Sequence, residues 1–331
     1  MIDLHLHLDG SLSKEDFIYL AKKNNVDLTT DFPNNIMVSD DCRSLEEYLE
    51  RFALPCSLLQ DEESLSYVTK SLVERLYSLN YIYAEIRFAP LLHLEKGLSQ
   101  VQVIKAVLKG LREGLEGKKD FDANIILCLM RQVDDSINFE TIDAAIEVND
   151  PKVVAIDLAG PEGFRPTHEY KALYDKVKDA GINAIIHAGE ACGNESILEA
   201  IELGAKRIGH GVHLSLDEEN VDHILNNNIY FEFCPTSNLQ TKSLKEYGDV
   251  PLLSFINKGI KVTLNSDNMT VSNTDVYKEF SHMIKTFNLG YDDVMKLLMT
   301  SLDASFLSEE DKLEKIKVLL TKLPSFYDIV K

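Results

Sequence analysis

The 331-residue sequence contains no tryptophan, five cysteines and nine prolines. The cysteines, Cys42, Cys56, Cys128, Cys192 and Cys234, are odd in number and form no Cys-x-x-Cys pair. That spacing excludes a zinc ribbon or finger and predicts reduced, mostly buried thiols in a cytoplasmic protein. No apolar run approaches the ~18–20 residues of a membrane span. The opening residues, Met1-Ile2-Asp3-Leu4-His5, show no basic stretch leading into an apolar one, so no signal peptide is read. Positive charge is scarce too: 34 Lys and Arg against 54 Asp and Glu give a net charge of −20. A chain so acidic is a poor partner for nucleic acid, which is gripped through its phosphates by a cationic face, and for an anionic membrane surface. Linkers rich in Pro, Gly or Ser are missing, as are low-complexity segments, so residues 1–331 are expected to form one domain.

What is present is a recurrent pattern. Short apolar runs lie at residues 2–8 (IDLHLHL, with Ile2 first), 81–89 (YIYAEIRFA), 124–130 (NIILCLM) and 153–159 (VVAIDLA). Four more follow at 184–187 (AIIH), 207–210 (RIGH), 230–233 (YFEF) and 261–265 (KVTLN). Several are apolar on both faces, as parallel strands covered by helices must be. Segments with helical spacing separate them, among them 99–113, 170–178 and 195–203. Eightfold strand–helix alternation predicts an α/β fold, a (β/α)8 TIM barrel, in preference to an open doubly wound sheet. The first connection, residues 9–80, is far longer than one helix needs and carries helical stretches at 13–24, 44–52 and 62–78. It is expected to lie over one mouth of the barrel as a lid. Further helices are expected after Asp275.

The chemistry-bearing residues cluster at predicted strand ends. His5 and His7 are two apart on a strand, so their rings share a face and can share a metal ion. Strand five ends in His187-Ala188-Gly189-Glu190, strand six in His210-Gly211, and strand eight in Ser266-Asp267-Asn268. In a barrel these ends converge on one face, where active sites are built. Imidazoles with one carboxylate suit Zn²⁺, with Fe²⁺, Co²⁺ or Mn²⁺ able to take the same donors. A catalytic zinc supplies hydroxide at neutral pH, a nearby histidine can orient it, and a protonated glutamic acid can deliver a proton. The residues alone therefore point to metal-assisted hydrolysis of a C–N or ester bond.

Six segments, in order, carry a resemblance: His5-Leu6-His7-Leu8-Asp9-Gly10-Ser11-Leu12, Asp157-Leu158-Ala159-Gly160, His187-Ala188-Gly189-Glu190, Arg207-Ile208-Gly209-His210-Gly211, Cys234-Pro235-Thr236-Ser237-Asn238 and Leu264-Asn265-Ser266-Asp267-Asn268. Across almost the whole chain the sequence resembles the adenosine deaminase family of metal-dependent amidohydrolases. The resemblance implies hydrolytic deamination of adenosine and deoxyadenosine to inosine and ammonia, with one Zn²⁺ per chain held by His5, His7, His187 and Asp267. It implies that His210 activates the zinc-bound hydroxide and that Glu190 protonates purine N1. It further implies that the Gly160 N–H reaches N3, that Asp9 binds the ribose 5′-hydroxyl, and that Leu49 and Phe52 form an apolar gate. Many family members carry a second aspartate where this chain has Asn268; an amide can donate to purine N7 without needing a proton.

The expected partner is a small purine nucleoside. Asp9 would repel a 5′-phosphate, and no Lys or Arg cluster follows it. The alternatives are another 6-aminopurine substrate (adenine, an N6-modified AMP or an aminofutalosine-type nucleoside) and a non-catalytic metal-binding protein. His93, His168, His223 and His282 read as solvated or helix-surface histidines, His213 as possible support for His210, and Glu85 with Arg87 as a buried pair or pocket wall. No sequence feature specifies an oligomeric state.

Overall fold

Eight strands, all parallel to their neighbours, follow one another around the sheet in sequence order. They are β1 (Ile2–His7), β2 (Tyr83–Phe88), β3 (Asp122–Met130), β4 (Val153–Ala159), β5 (Asn183–Ala188), β6 (Arg207–His210), β7 (Tyr230–Phe233) and β8 (Lys261–Leu264). Each matches one of the expected runs. The computed structural model describes residues 1–28, 32, 34–39 and 41–331. Residues 29–31, 33 and 40, within the expected lid, lie outside the described residues.

Helices fill the connections. Before β2 come α1 (Lys14–Asn24), α2 (Leu45–Leu49), α3 (Ala53–Leu58) and α4 (Glu62–Ser78). The single crossovers follow: α5 (Gln100–Leu115), α6 (Asp135–Val148), α7 (Lys171–Asp179), α8 (Asn194–Glu202) and α9 (Glu218–Asn227). Between β7 and β8 lie α10 (Pro235–Gln240) and α11 (Leu252–Asn257), and the tail holds α12 (Val276–Phe287), α13 (Tyr291–Ala304) and α14 (Glu309–Val330). Side-chain caps fix several starts: Ser13 accepts from the Asp16 N–H, Asp61 from Ser64 and Ser99 from Gln102, each relieving an orphan donor of the first turn. Among the described residues, no helix is long and apolar enough to cross a membrane.

The apolar core fills the layer between barrel and helices, with Ile2, Leu4 and Leu6 of β1 pointing into it. Many of the alternate side chains of the strands are buried and charged, beside a small separate apolar cluster of Ile126, Ala155 and Ile185. Arg87 of β2 lies 2.7 Å from Asp157 of β4 and 2.9 Å from Glu232 of β7. Arg207 of β6 lies 2.5 Å from both Glu85 and Glu232. Glu85 and Arg87 are thus both buried, each paired with a residue of another strand. Two guanidiniums and three carboxylates form a floor in which each ion faces an opposite charge, which offsets the cost of burying them.

Two features of the barrel wall position the site. The barrel closes through an isolated parallel bridge between Leu6 and Asp267. The His7 N–H donates to the Asp267 carbonyl (2.7 Å) and the Asp267 N–H to the His5 carbonyl (2.8 Å), so closure itself sets the carboxylate beside both imidazoles. At β4–β5 the ladder is short, pairing Ala155 with Asn183 and Ile156 with Ala184, both at the beginnings of the strands.

Candidate active site

The metal-ligand geometry is built by three strand ends. The Nε2 atoms of His5 and His7 lie 3.3 Å apart, and Asp267 Oδ1 is 3.5 Å from the first and 3.3 Å from the second. His187 offers a ring nitrogen within 4.8 Å of both. Tetrahedral ligands about 2.0–2.1 Å from an ion stand about 3.3–3.5 Å from one another, so the spacing of His5, His7 and Asp267 fits a zinc-sized ion, with His187 beside them. The far ring nitrogens are held in turn: His5 Nδ1 by Glu232 (2.8 Å) and His187 Nδ1 by Asp157 (3.0 Å). Such carboxylate partners fix the tautomer so that Nε2 presents its lone pair. Burial lowers the pKa of His7 and of His187, keeping both in the neutral, ligating form. His210 and Asp267 both hold the left-handed backbone conformation, at φ 63° and 58°. For non-glycine residues this is a strain that tends to be retained where a side chain must be aimed.

His210 and Glu190 stand beside the cluster, Nε2 to Oε2 at 3.5 Å. The Asn238 side-chain amide lies 3.1 Å from His210 Nδ1 and fixes the ring with Nε2 toward the site. Burial also lowers the His210 pKa well below its usual value. Glu190 is raised from 4.5 to about 8, first by burial, then by the negative charges of Asp267 and Glu162. A hydrogen bond from the Thr241 hydroxyl (3.0 Å) opposes the shift. At neutral pH this carboxyl keeps its proton.

A cavity of about 150 Å³ opens at these groups. Its lining includes His7, His187, Asp267, Glu190 and His210, and also Asp9, Gly160, Asn268, Leu49 and Phe52; His5 is buried just behind. All eleven residues singled out in the sequence therefore meet at one place. Gly160 sits at φ +96°, and a Cβ there would come within 2.3 Å of Gln132 Oε1, so only glycine leaves the backbone bare to the cavity. Leu49 and Phe52 are half-buried and reach the cavity from the residue 9–80 excursion, as expected of a lid.

Other residues were not legible. Tyr48 of α2 lines the cavity, with its hydroxyl 2.6 Å from Ser272 Oγ and accepting from Asn268 Nδ2 at 2.9 Å. Its position in the lid gave no sign that it would reach β8. His93 is fully buried, not solvated; its Nε2 lies 3.3 Å from Asp9 Oδ1, and its Nδ1 bonds the Leu59 carbonyl at 3.0 Å. His93 closes the short helical turn Pro90–His93 that follows β2, and no local sequence signal places that turn against Asp9. His213 is exposed and bonded to the Ser243 carbonyl, so it gives His210 no support. His168 is exposed and paired with Glu199, as read. Burial raises the thiol pKa of Cys234 well above its usual value, so it remains protonated.

The family profile described as adenosine deaminase matches residues 1–322. An adenosine deaminase from Haemophilus ducreyi is 43% identical over 335 residues, covering 99% of this chain and 96% of that protein. The chain belongs to the adenosine deaminase family. A second adenosine deaminase, from Clostridium perfringens, is 42% identical over 323 residues, covering 96% of each chain. Among solved structures, the N6-methyl-AMP deaminase of Arabidopsis thaliana superposes with a TM-score of 0.86 at 25% identity, covering 98% of this chain and 97% of that one. The adenine deaminase of Arthrobacter aurescens gives a TM-score of 0.88 at 24% identity, covering 99% and 98%, which speaks to the fold. The barrel of these solved structures is thus the observed one.

Proposed function

We propose that this protein hydrolyses adenosine and deoxyadenosine to inosine (or deoxyinosine) and ammonia, with one Zn²⁺ held by His5, His7, His187 and Asp267. The observation that carries the reading is a proton-holding Glu190 set beside His210 at the edge of a His/Asp ligand cluster, in a chain of this family. Bound there, zinc supplies a hydroxide nucleophile by lowering the pKa of water from 15.7 to about 7.

The chain's own residues do the rest. Glu190 gives its proton to N1, which leaves C6 electrophilic and spares the ring an accumulating negative charge. His210, held neutral by burial, orients the attacking oxygen toward C6. The C6–O bond forms and the C6–N bond breaks. One hydrogen of the consumed water ends on N1, by way of Glu190, and the other leaves with ammonia. Gly160 N–H binds N3 and the Asn268 amide binds N7, so the ring is fixed at two edges. Leu49 and Phe52 close over it and exclude water, which keeps Glu190 protonated.

Asp9 selects the nucleoside. Its Oδ1 is buried without a hydrogen-bond partner, and a ribose 5′-hydroxyl supplies the donor. Free adenine would leave Asp9 facing only His93 Nε2, 3.3 Å away, and a 5′-phosphate would meet its charge in a cavity whose described lining contains no Lys or Arg. The test is the metal content of the purified protein followed by kcat/KM for adenosine, deoxyadenosine, adenine and N6-methyl-AMP. We expect one zinc per chain and a preference for the two nucleosides; a strong preference for free adenine overturns the substrate assignment. Bound zinc with no turnover of any aminopurine overturns the enzymatic reading.

A further inference from the structure

Glu162 lies in the short helical turn Glu162–Phe164 that follows β4, two residues after Gly160. Its side chain is 4% exposed. It points across to the loop after β5, the loop that carries Glu190. Oε1 accepts from the Gly189 N–H and the Ser196 hydroxyl, both at 2.6 Å. Oε2 accepts from the N–H groups of Glu190 (3.0 Å), Ala191 (2.7 Å) and Cys192 (2.8 Å). Four successive backbone N–H groups thus converge on one carboxylate. Such a concavity ordinarily binds an anion; here a neighbouring loop provides it.

The place of this clamp matters. Below it, the β4–β5 ladder stops at Ile156 and Ala184. Farther along β5 the carbonyls find side chains instead: Tyr174 donates to the Ile185 carbonyl at 2.7 Å, and Arg131 to the His187 carbonyl at 2.8 Å. The barrel wall is therefore open as a backbone ladder where it reaches the cavity. Gly160 and Glu190 stand on opposite sides of that seam. A purine presents N3 and N1 on one rigid six-membered ring, so the two protein groups that meet them must keep a fixed separation.

We propose that Glu162 is a positioning residue for the deamination: it bridges the seam between β4 and β5 and fixes the Gly160 turn against the loop bearing Glu190. The inference rests on the reading of Glu190 as the N1 acid and Gly160 as the N3 donor. Its physical content is that a misplaced acid loses transition-state contact steeply with distance.

Glu162→Gln tests it. The amide keeps the volume. With its NH2 at the Oε1 position, the Ser196 hydroxyl can turn to accept, but the Gly189 N–H loses its partner and the clamp loses its charge. We expect kcat for adenosine to fall about 10-fold or more, with zinc still at one per chain. We also expect the kcat/KM advantage of adenosine over 3-deazaadenosine, in which C–H replaces N3, to shrink about 5-fold, because the N3 donor is no longer held against the acid. A purely structural defect lowers both substrates equally and leaves that ratio unchanged. An unchanged ratio, or kcat within about 2-fold of wild type, overturns the proposal. Should Glu162→Gln fail to fold, Glu162→Asp keeps the charge and withdraws it by one methylene; the same ratio decides. Glu190→Gln, measured alongside, separates the claims. If it retains wild-type kcat, the acid assignment is what fails. If it is inactive while Glu162→Gln behaves as wild type in both readouts, only the positioning role fails.

Discussion

Replacing Glu190 with Gln keeps the size of the side chain and removes its transferable proton. Glu190 is buried, and burial followed by the charges of Asp267 and Glu162 raises its pKa from 4.5 to about 8. About nine-tenths of the wild-type protein then holds the acid form at pH 7 and about one-tenth at pH 9. Loss of that proton should accordingly lower activity about 10-fold between pH 7 and 9. A positioned general acid contributes roughly 10²–10⁴-fold, so Glu190→Gln should lose that much kcat while binding adenosine nearly as well, since the amide still hydrogen-bonds N1. The stability change has the opposite sign. The unfolded chain releases this proton above 4.5 and the folded chain keeps it until about 8, so wild-type stability declines across that window. The interval caps the cost at roughly 5 kcal/mol, and the variant escapes it. The assay is the ultraviolet difference between adenosine and inosine, followed with pH, together with thermal melts at pH 6 and pH 9. Glu190→Gln activity within 10-fold of wild type, or a melt at pH 9 no higher than that of wild type, would refute the reasoning.

Three further outcomes are expected. Chelation should abolish turnover and lower Tm, and Zn²⁺ should restore both; His7→Ala should bind zinc substoichiometrically by metal analysis. Glu232→Gln removes the charge that neutralises Arg87 and Arg207 and one of the two oxygens that accept from them and from His5, so it should cost about 3–5 kcal/mol in denaturant unfolding and weaken zinc binding besides. Tyr48→Phe leaves Asn268 Nδ2 and Ser272 without their shared partner inside the protein; we expect a loss of about 1–3 kcal/mol in stability. The same variant should narrow the kcat/KM gap between adenosine and 7-deazaadenosine, and an unchanged gap would show that Tyr48 does not orient the N7 contact.

The strand runs, the helix spacing and the histidine-bearing strand ends were legible because each depends on local sequence. Period-two apolarity makes β1 a strand and puts His5 and His7 on one face whatever surrounds them. Parallel strands in sequence order bring strand ends to one rim, so convergence of His187, His210 and Asp267 followed from topology alone. What local sequence cannot carry is which side chains cross between elements. Glu232 and Glu162 sit in unremarkable surroundings in the chain, Asp157 opens a family-like segment that does not name its partner, and the partners of all three lie tens to hundreds of residues away. His93 was misread for the same reason: nothing near it in sequence announces that its turn folds in against Asp9.

The sequence by itself determined the barrel and the gathering of histidines and carboxylates at one rim of it, since periodicity and strand order suffice for those. Tertiary structure decided the protonation of Glu190, the tautomers of His5 and His187 and the clamping of the β4–β5 seam. Each of these depends on burial and on charges or acceptors supplied by distant strands, and electrostatic energy in a desolvated site is set by distances that exist only once the barrel has closed.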